Sequence, residues 1–257
     1  MIVTTEAVVL KSRRYRETSK LVTVYSKKFG KVSGIAKGAR ETKSKFGAAL
    51  EPMTHVSLVL YKKEHRDLHL ISQSEIVKPF TRLHADLSKI TVGLSVVELL
   101  DAAMHDEEPN EKVFRLTIDI LSELDSATKN LQSLLYFFKL HFLELMGVKP
   151  ELDACVRCRK KLIAGTSDQM HVQFDAQAGG IVCRACALRF PRRVKLSFGS
   201  VRSIQNLQRA ALSDVANLKI EESFRKEIEE IVGSYIRHHL TGADRLKTEG
   251  VSKKLAV

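Results

Sequence analysis

The sequence predicts an α+β protein, with a small N-terminal β-barrel followed by an α-helical domain into which a four-cysteine module is inserted. Three observations carry this. The first 80 residues hold five short runs rich in β-branched residues, with glycines breaking them. From residue 81 the apolar residues step by three and four. Just after residue 150 that helical pattern stops, and the chain's 4 cysteines appear as two C-x2-C pairs.

The strands come first. Residues 3–10 alternate, residues 20–25 follow, and a Phe29-Gly30-Lys31 turn leads into residues 32–36. After an irregular stretch come residues 55–61 and 68–72. Five strands in so short a span fit a closed barrel, and the five-stranded OB-fold is the commonest of that size, with an SH3-like barrel as the alternative.

Leu83, Leu87, Ile90, Leu94, Val97, Leu100 and Met104 then place one apolar stripe along a single long helix, ended by Asp106-Glu107-Glu108-Pro109-Asn110. Val113, Leu116, Ile120, Leu121 and Leu124 predict a second helix. Leu131, Leu134, Leu135, Phe138, Phe142, Leu145 and Met146 predict a third, stopped by Gly147. Helical periodicity resumes with Val201, Ile204, Leu207 and Ala211, and again from Phe224 to Ile236. These stripes read as core faces. The expected domains are residues 1–80 (barrel, nucleic-acid binding), 81–150 with 191–243 (helical), 151–190 (cysteine module) and a flexible tail, 244–257.

A C-x2-C pair sets two sulfurs on one tight turn. Cys155 and Cys158 with Cys183 and Cys186 therefore supply the four thiolates of a closed, structural zinc site, one Zn2+ per chain. The intervening residues 159–182 hold a hairpin pattern: Leu162-Ile163-Ala164, then residues 170–174, then a Gly179-Gly180 turn. Two disulfides, or a redox dithiol, are the competing readings. With all four ligand positions filled by protein, the site holds structure and does no chemistry.

Charge points to the partner. The net charge is +12, unevenly spread: residues 1–80 carry 16 Lys and Arg against 7 Asp and Glu, a net of +9, whereas residues 81–150 are net acidic. A field of this sign selects polyanions, nucleic acid first and an anionic membrane second. The start, Met1-Ile2-Val3-Thr4-Thr5-Glu6, lacks the basic and apolar regions of a secretory signal, and no apolar run approaches the ~20 residues that span a bilayer. A cytoplasmic protein without membrane partners is expected.

Two segments concentrate the barrel's charge. One is Lys11-Ser12-Arg13-Arg14-Tyr15-Arg16, at the end of the first strand and into its loop. The other, residues 37–47 after the third strand, contains Lys37, Arg40, Lys43 and Lys45. Arg and Lys neutralise phosphates, hydroxyls and amides add hydrogen bonds, and Tyr15 is placed to stack on a base. A solvated charged loop is the plainer reading of either segment alone. Arg189-Phe190-Pro191-Arg192-Arg193-Val194-Lys195 is either a further basic patch or a linker, and His238-His239 reads as a helix-end charge. The chain has no G-x-x-x-x-G-K-[ST], H-E-x-x-H or G-x-S-x-G motif, and its cysteines lack the zinc-deaminase context. A non-enzyme is expected.

The order of parts resembles the bacterial RecO family of recombination mediators. The residues that carry the resemblance are Glu6-Ala7-Val8-Val9-Leu10, Arg14-Tyr15-Arg16-Glu17-Thr18-Ser19, Phe29-Gly30-Lys31, Ala36-Lys37-Gly38-Ala39-Arg40, Lys43-Ser44-Lys45 with Leu50-Glu51-Pro52, and Leu145-Met146-Gly147-Val148-Lys149-Pro150 before the cysteines. The resemblance implies an OB-fold that binds single- and double-stranded DNA and anneals complementary strands. It also implies partnership with RecR and with the acidic C-terminal tail of single-stranded DNA-binding protein, so that recombinase loads. It assigns DNA binding to Arg14, Arg16, Lys37, Arg40, Lys43 and Lys45. The rival classes are a zinc-ribbon protein that binds RNA and a zinc-dependent or redox enzyme.

Overall fold

The computed structural model describes residues 1–62, 66–161, 171–188 and 194–246. The chain folds into two compact units, Met1–Ser126 and Ala127–Asp244.

In the first unit, β1 (Ile2–Tyr15), β2 (Ser19–Ser26), β3 (Gly30–Ala36), β4 (His55–Tyr61) and β5 (Leu68–Lys78) close into a five-stranded OB-type barrel in the order β1-β2-β3-β5-β4. Only the β3–β5 pair is parallel. Strand β1 serves two edges: Ile2 to Val8 pair with β4, and Ala7 to Tyr15 pair with β2. A register shift between Val9 and Lys11 marks a bulge, which bends the strand from one partner towards the other. Val9, Val22, Val24, Val32, Val56, Leu58, Leu60 and Ile71 fill the interior, as the alternation of each strand requires. β1 is longer than expected, so Lys11 to Tyr15 are strand and not loop. β5 likewise runs on to Lys78.

Helices α1 (Thr81–Ala85), α2 (Leu87–Ala103) and α3 (Glu111–Ser126) follow. The single long helix expected here is broken at Asp86, whose backbone is extended and whose carboxylate accepts from the Lys89 N–H, capping α2. These helices group with the barrel, although strand gives way to helix at residue 81. Val8 and Leu10, on the outward face of β1, are buried, and α2 packs against that strand. The loop between α2 and α3 seals β3. The Glu107 N–H donates to the Lys31 carbonyl (3.0 Å), and the Asn110 N–H donates to the Tyr25 hydroxyl (3.0 Å). Gly30, at φ +64°, permits this approach; a Cβ there would collide with the Glu108 carbonyl.

The second unit is built on α4 (Leu131–Leu145), buried continuously from Ser133 to Leu140. Strands β6 (His171–Asp175) and β7 (Gly180–Val182), short helix α5 (Arg184–Ala187), β8 (Val194–Ser197), α6 (Phe198–Arg209), α7 (Leu212–Val215) and α8 (Glu222–His239) complete it. The sheet order is β7-β6-β8. Strand β8 was not foreseen; it begins within the segment read as patch or linker. Ser197 caps α6, and its hydroxyl and that of Ser200 both donate to the Glu227 carboxylate, fastening α8 to α6. The expected strand at 162–164, the basic residues 189–193 and the tail from 247 lie outside the described residues.

His55 gives the first unit a pH signature. The ring is buried, edge-on to Phe114 and 3.0 Å from the Glu6 carboxylate through Nε2, and its Nδ1 has no hydrogen-bond partner among the described residues. Burial holds its pKa below the ordinary value despite the opposing pull of Glu6. A lowered folded pKa means that the stabilisation is present above about pH 6.5 and is lost as pH falls. The melting temperature of the parent should therefore drop more between neutral pH and about pH 5 than that of His55→Gln. Equal slopes in a thermal-melt series would contradict this.

Candidate nucleic-acid interface and metal centre

The candidate residues in β1 separate onto different surfaces. Ser12 pairs with Val22, an interior residue, so Arg13 and Tyr15 point outward. Arg14 pairs with Lys20, and Lys20 with Ala36, which sets Arg14 on the inward row at the end of the barrel next to the β1–β2 turn. Arg16 turns the chain into β2 at φ 52°. Its guanidinium lies 5.4 Å from the Tyr15 ring centroid, over the ring a base would use. Arg13, Arg14 and Arg16 are exposed, and Tyr15 is half-buried.

The segment after β3 is not a free loop. Ala39, Phe46, Ala49 and Leu50 belong to the barrel's core cluster, so residues 37–54 plug the barrel while Lys37, Lys43 and Lys45 remain exposed. Arg40 ties this plug to the β1–β2 turn. Its Nη1 donates to the carbonyls of Glu17 (2.8 Å) and Arg16 (3.3 Å), and its N–H donates to Thr18 O (2.9 Å). The two basic segments, 21 or more residues apart in sequence, therefore meet at one end of the barrel. Arg40 holds them together through Nη1 of its guanidinium, and its side chain is exposed.

The four cysteines converge. Cys155 and Cys158 flank a tight turn closed by the Arg159 N–H to Cys155 O (2.8 Å). Cys183 is the N-cap of α5 and Cys186 lies in its single turn. Strand β7 joins the two turns: its Ile181 carbonyl accepts from the Val156 N–H (3.0 Å), and Cys183 follows directly after it. All four Sγ atoms lie within 4.8 Å of one another, with Cys158 and Cys183 3.7 Å apart. Tetrahedral zinc with ~2.3 Å bonds to sulfur needs sulfurs ~3.8 Å apart, whereas a disulfide needs ~2.05 Å. The cluster therefore has metal-binding geometry.

Its electrostatics agree. Burial disfavours the Cys155 thiolate, but N–H groups of Cys183, Cys158 and Arg157 and the Cys158 thiol outweigh it and bring the thiol down to about 6. At Cys186 the neighbouring Cys183 and Cys158 sulfurs push the thiol up to about 12. Four sulfurs this close ionise together only around a cation, and metal binding releases the remaining protons.

A family model described as "Recombination protein O N terminal" matches residues 1–80, and one described as "Recombination protein O C terminal" matches residues 84–248. The chain is similar to the DNA repair protein RecO of Salinibacter ruber, at 35% identity over 242 residues, 94% of this chain and 90% of that one. It is also similar to the DNA repair protein RecO of Anaeromyxobacter dehalogenans (33% over 233 residues, 91% and 89%) and that of Desulforamulus reducens (32% over 243 residues, 95% and 91%). Among the described residues no helix is long and apolar enough to cross a membrane.

If the cluster holds zinc, metal analysis of protein purified without chelator should return one zinc per chain. Cys155→Ser should lose it and melt roughly 10 °C lower in the Ala127–Asp244 unit, with barrel melting unchanged. Metal-free parent protein of unchanged stability would rule the site out.

Proposed function

The chain belongs to the RecO family of DNA repair proteins and acts in recombination and repair; from that premise we propose that it is a DNA-binding recombination mediator, not an enzyme. It binds single- and double-stranded DNA on the barrel, anneals complementary strands and helps load recombinase on DNA coated by single-stranded DNA-binding protein. Its partners in this reading are RecR and that protein's acidic C-terminal tail, met in the cytoplasm at the nucleoid.

One observation carries the reading. Arg40 ties the segment carrying exposed Lys37, Lys43 and Lys45 to the β1–β2 turn that follows exposed Arg13 and Arg14 and begins at exposed Arg16, and the first 80 residues are net +9. Side chains held on a braced scaffold lose little freedom on binding, so their charges act on phosphates without first ordering a loop. Phosphate contact is indifferent to base identity, which suits a protein that acts on any sequence. Zinc on Cys155, Cys158, Cys183 and Cys186 has a structural role in this reading. It closes the module around Val182 and Ala187, which pack against the cysteines.

The test is a salt titration of single-strand and duplex binding. Lys37→Glu with Lys43→Glu and Lys45→Glu, leaving Arg40 intact, should weaken both at least tenfold near 0.1 M salt. For single strands, the slope of log affinity on log salt should become shallower by about 2, the share of roughly three phosphates. Arg40→Ala should instead lower barrel stability. A triple variant that binds as the parent does would remove DNA from this face, and preference for RNA of equal length would favour the RNA-binding class.

A further inference from the structure

The outward face of the barrel carries a feature that the phosphate contacts leave unused. Strand pairing places Arg13 opposite Leu21, Leu21 opposite Ile35, Ile35 opposite Leu70, Leu70 opposite Tyr61, and Tyr61 opposite Ile2. These six residues form one transverse row crossing all five strands. Their chain neighbours Val22, Ala36, Leu60 and Ile71 point into the core, so the row points out. Outward apolar residues elsewhere on β1 are buried, as Val8 and Leu10 are. Here Leu21, Ile35 and Leu70 are half-buried, while Tyr61 is 43% and Ile2 62% exposed. A contiguous apolar strip left open on a strongly charged barrel marks a binding surface.

We infer that this row is a base-stacking strip that lets the barrel prefer single strands to duplex; the inference rests on the DNA-binding reading above. Charge complementarity selects the occupant. The strip begins at Arg13, one outward position from Tyr15, and so runs directly into the basic end of the barrel. An apolar surface with cations at one end fits a ligand with flat apolar faces on an anionic backbone. In a duplex those faces are stacked on one another and cannot reach the strip, whereas an unpaired strand presents them. The lysines and arginines hold either form of DNA; the strip adds affinity only when bases are unpaired. Tyr61, the exposed aromatic ring between Leu70 and Ile2 in the row, is the specificity-determining residue.

The experiment uses the full chain and three ligands of equal length: oligo(dT), the same backbone with abasic sites, and a duplex. The parent should bind oligo(dT) more tightly than the abasic strand. Tyr61→Ala should bind oligo(dT) about five- to tenfold more weakly, leave abasic-strand and duplex binding unchanged, and keep the parent's salt slope. Tyr61→Phe should behave as the parent. Ile35→Thr, which keeps a β-branched residue in the strand, provides a second removal with the same expected pattern should Tyr61→Ala melt early. Equal losses on all three ligands, or no loss on oligo(dT), overturn the strip while leaving the phosphate contacts standing. A parent that binds none of the three overturns both readings. Tyr61→Ala that binds normally but sediments as a smaller species makes the row an interface between copies and overturns the inference as well.

Discussion

The barrel closes because β1 is long enough to serve two partners. Its first half pairs with β4 and its second with β2, and Ala7 and Val8 pair on both sides. The remaining edge is closed by the parallel β3–β5 pair. Without that double duty the sheet would present two open edges, each a row of unpaired backbone groups. Every surface proposed to bind DNA depends on closure. The bulge beyond Val9 sets which of Arg13, Arg14 and Tyr15 faces outward, and the order of strands brings the β1–β2 turn beside the segment that follows β3.

That arrangement turns charge into geometry. A net charge of +9 spread over a flexible chain would attract DNA weakly and without orientation. Here the cations stand on a barrel end plugged by Phe46 and braced by Arg40, with an apolar strip running away from them. In the other unit, sulfur geometry does comparable work. Two tight turns held by β7 gather four thiols into a sphere sized for one ion, and the small core of Val182 and Ala187 packs against them.

Much of this was legible in the sequence. The five strands, the main helices and the metal spacing each follow from local pattern, because alternation, three-four periodicity and C-x2-C turns are short-range signals. The misreadings have physical causes. The bulge at Leu10 breaks the alternation of β1, and the charged residues beyond it hide the rest of the strand. Asp86 sits inside an unbroken apolar stripe, so the helix break it imposes is masked. Ala39, Phe46, Ala49 and Leu50 fill the barrel from an irregular segment that has no period to detect. The outward row draws one residue from each strand except β1, which gives two, and no linear pattern reveals it before the register is known.

The double duty of β1 also sets the order in which the molecule can be completed. Domains fold as units during synthesis, N-terminal parts first. β1 leaves the ribosome before any partner exists, and β2 with β3 can join it at once through short turns. Its other half must wait for Tyr61, the partner of Ile2, and final closure waits for β5, which ends at Lys78. Through that interval a nascent three-stranded sheet shows two bare margins, one of them the Ile2-to-Val8 half of β1. Lys27, Lys28 and Lys31 in and beside the β2–β3 turn, and the arginines at the far end of β1, are then already in place. Charges beside open strand edges oppose edge-to-edge pairing between neighbouring chains.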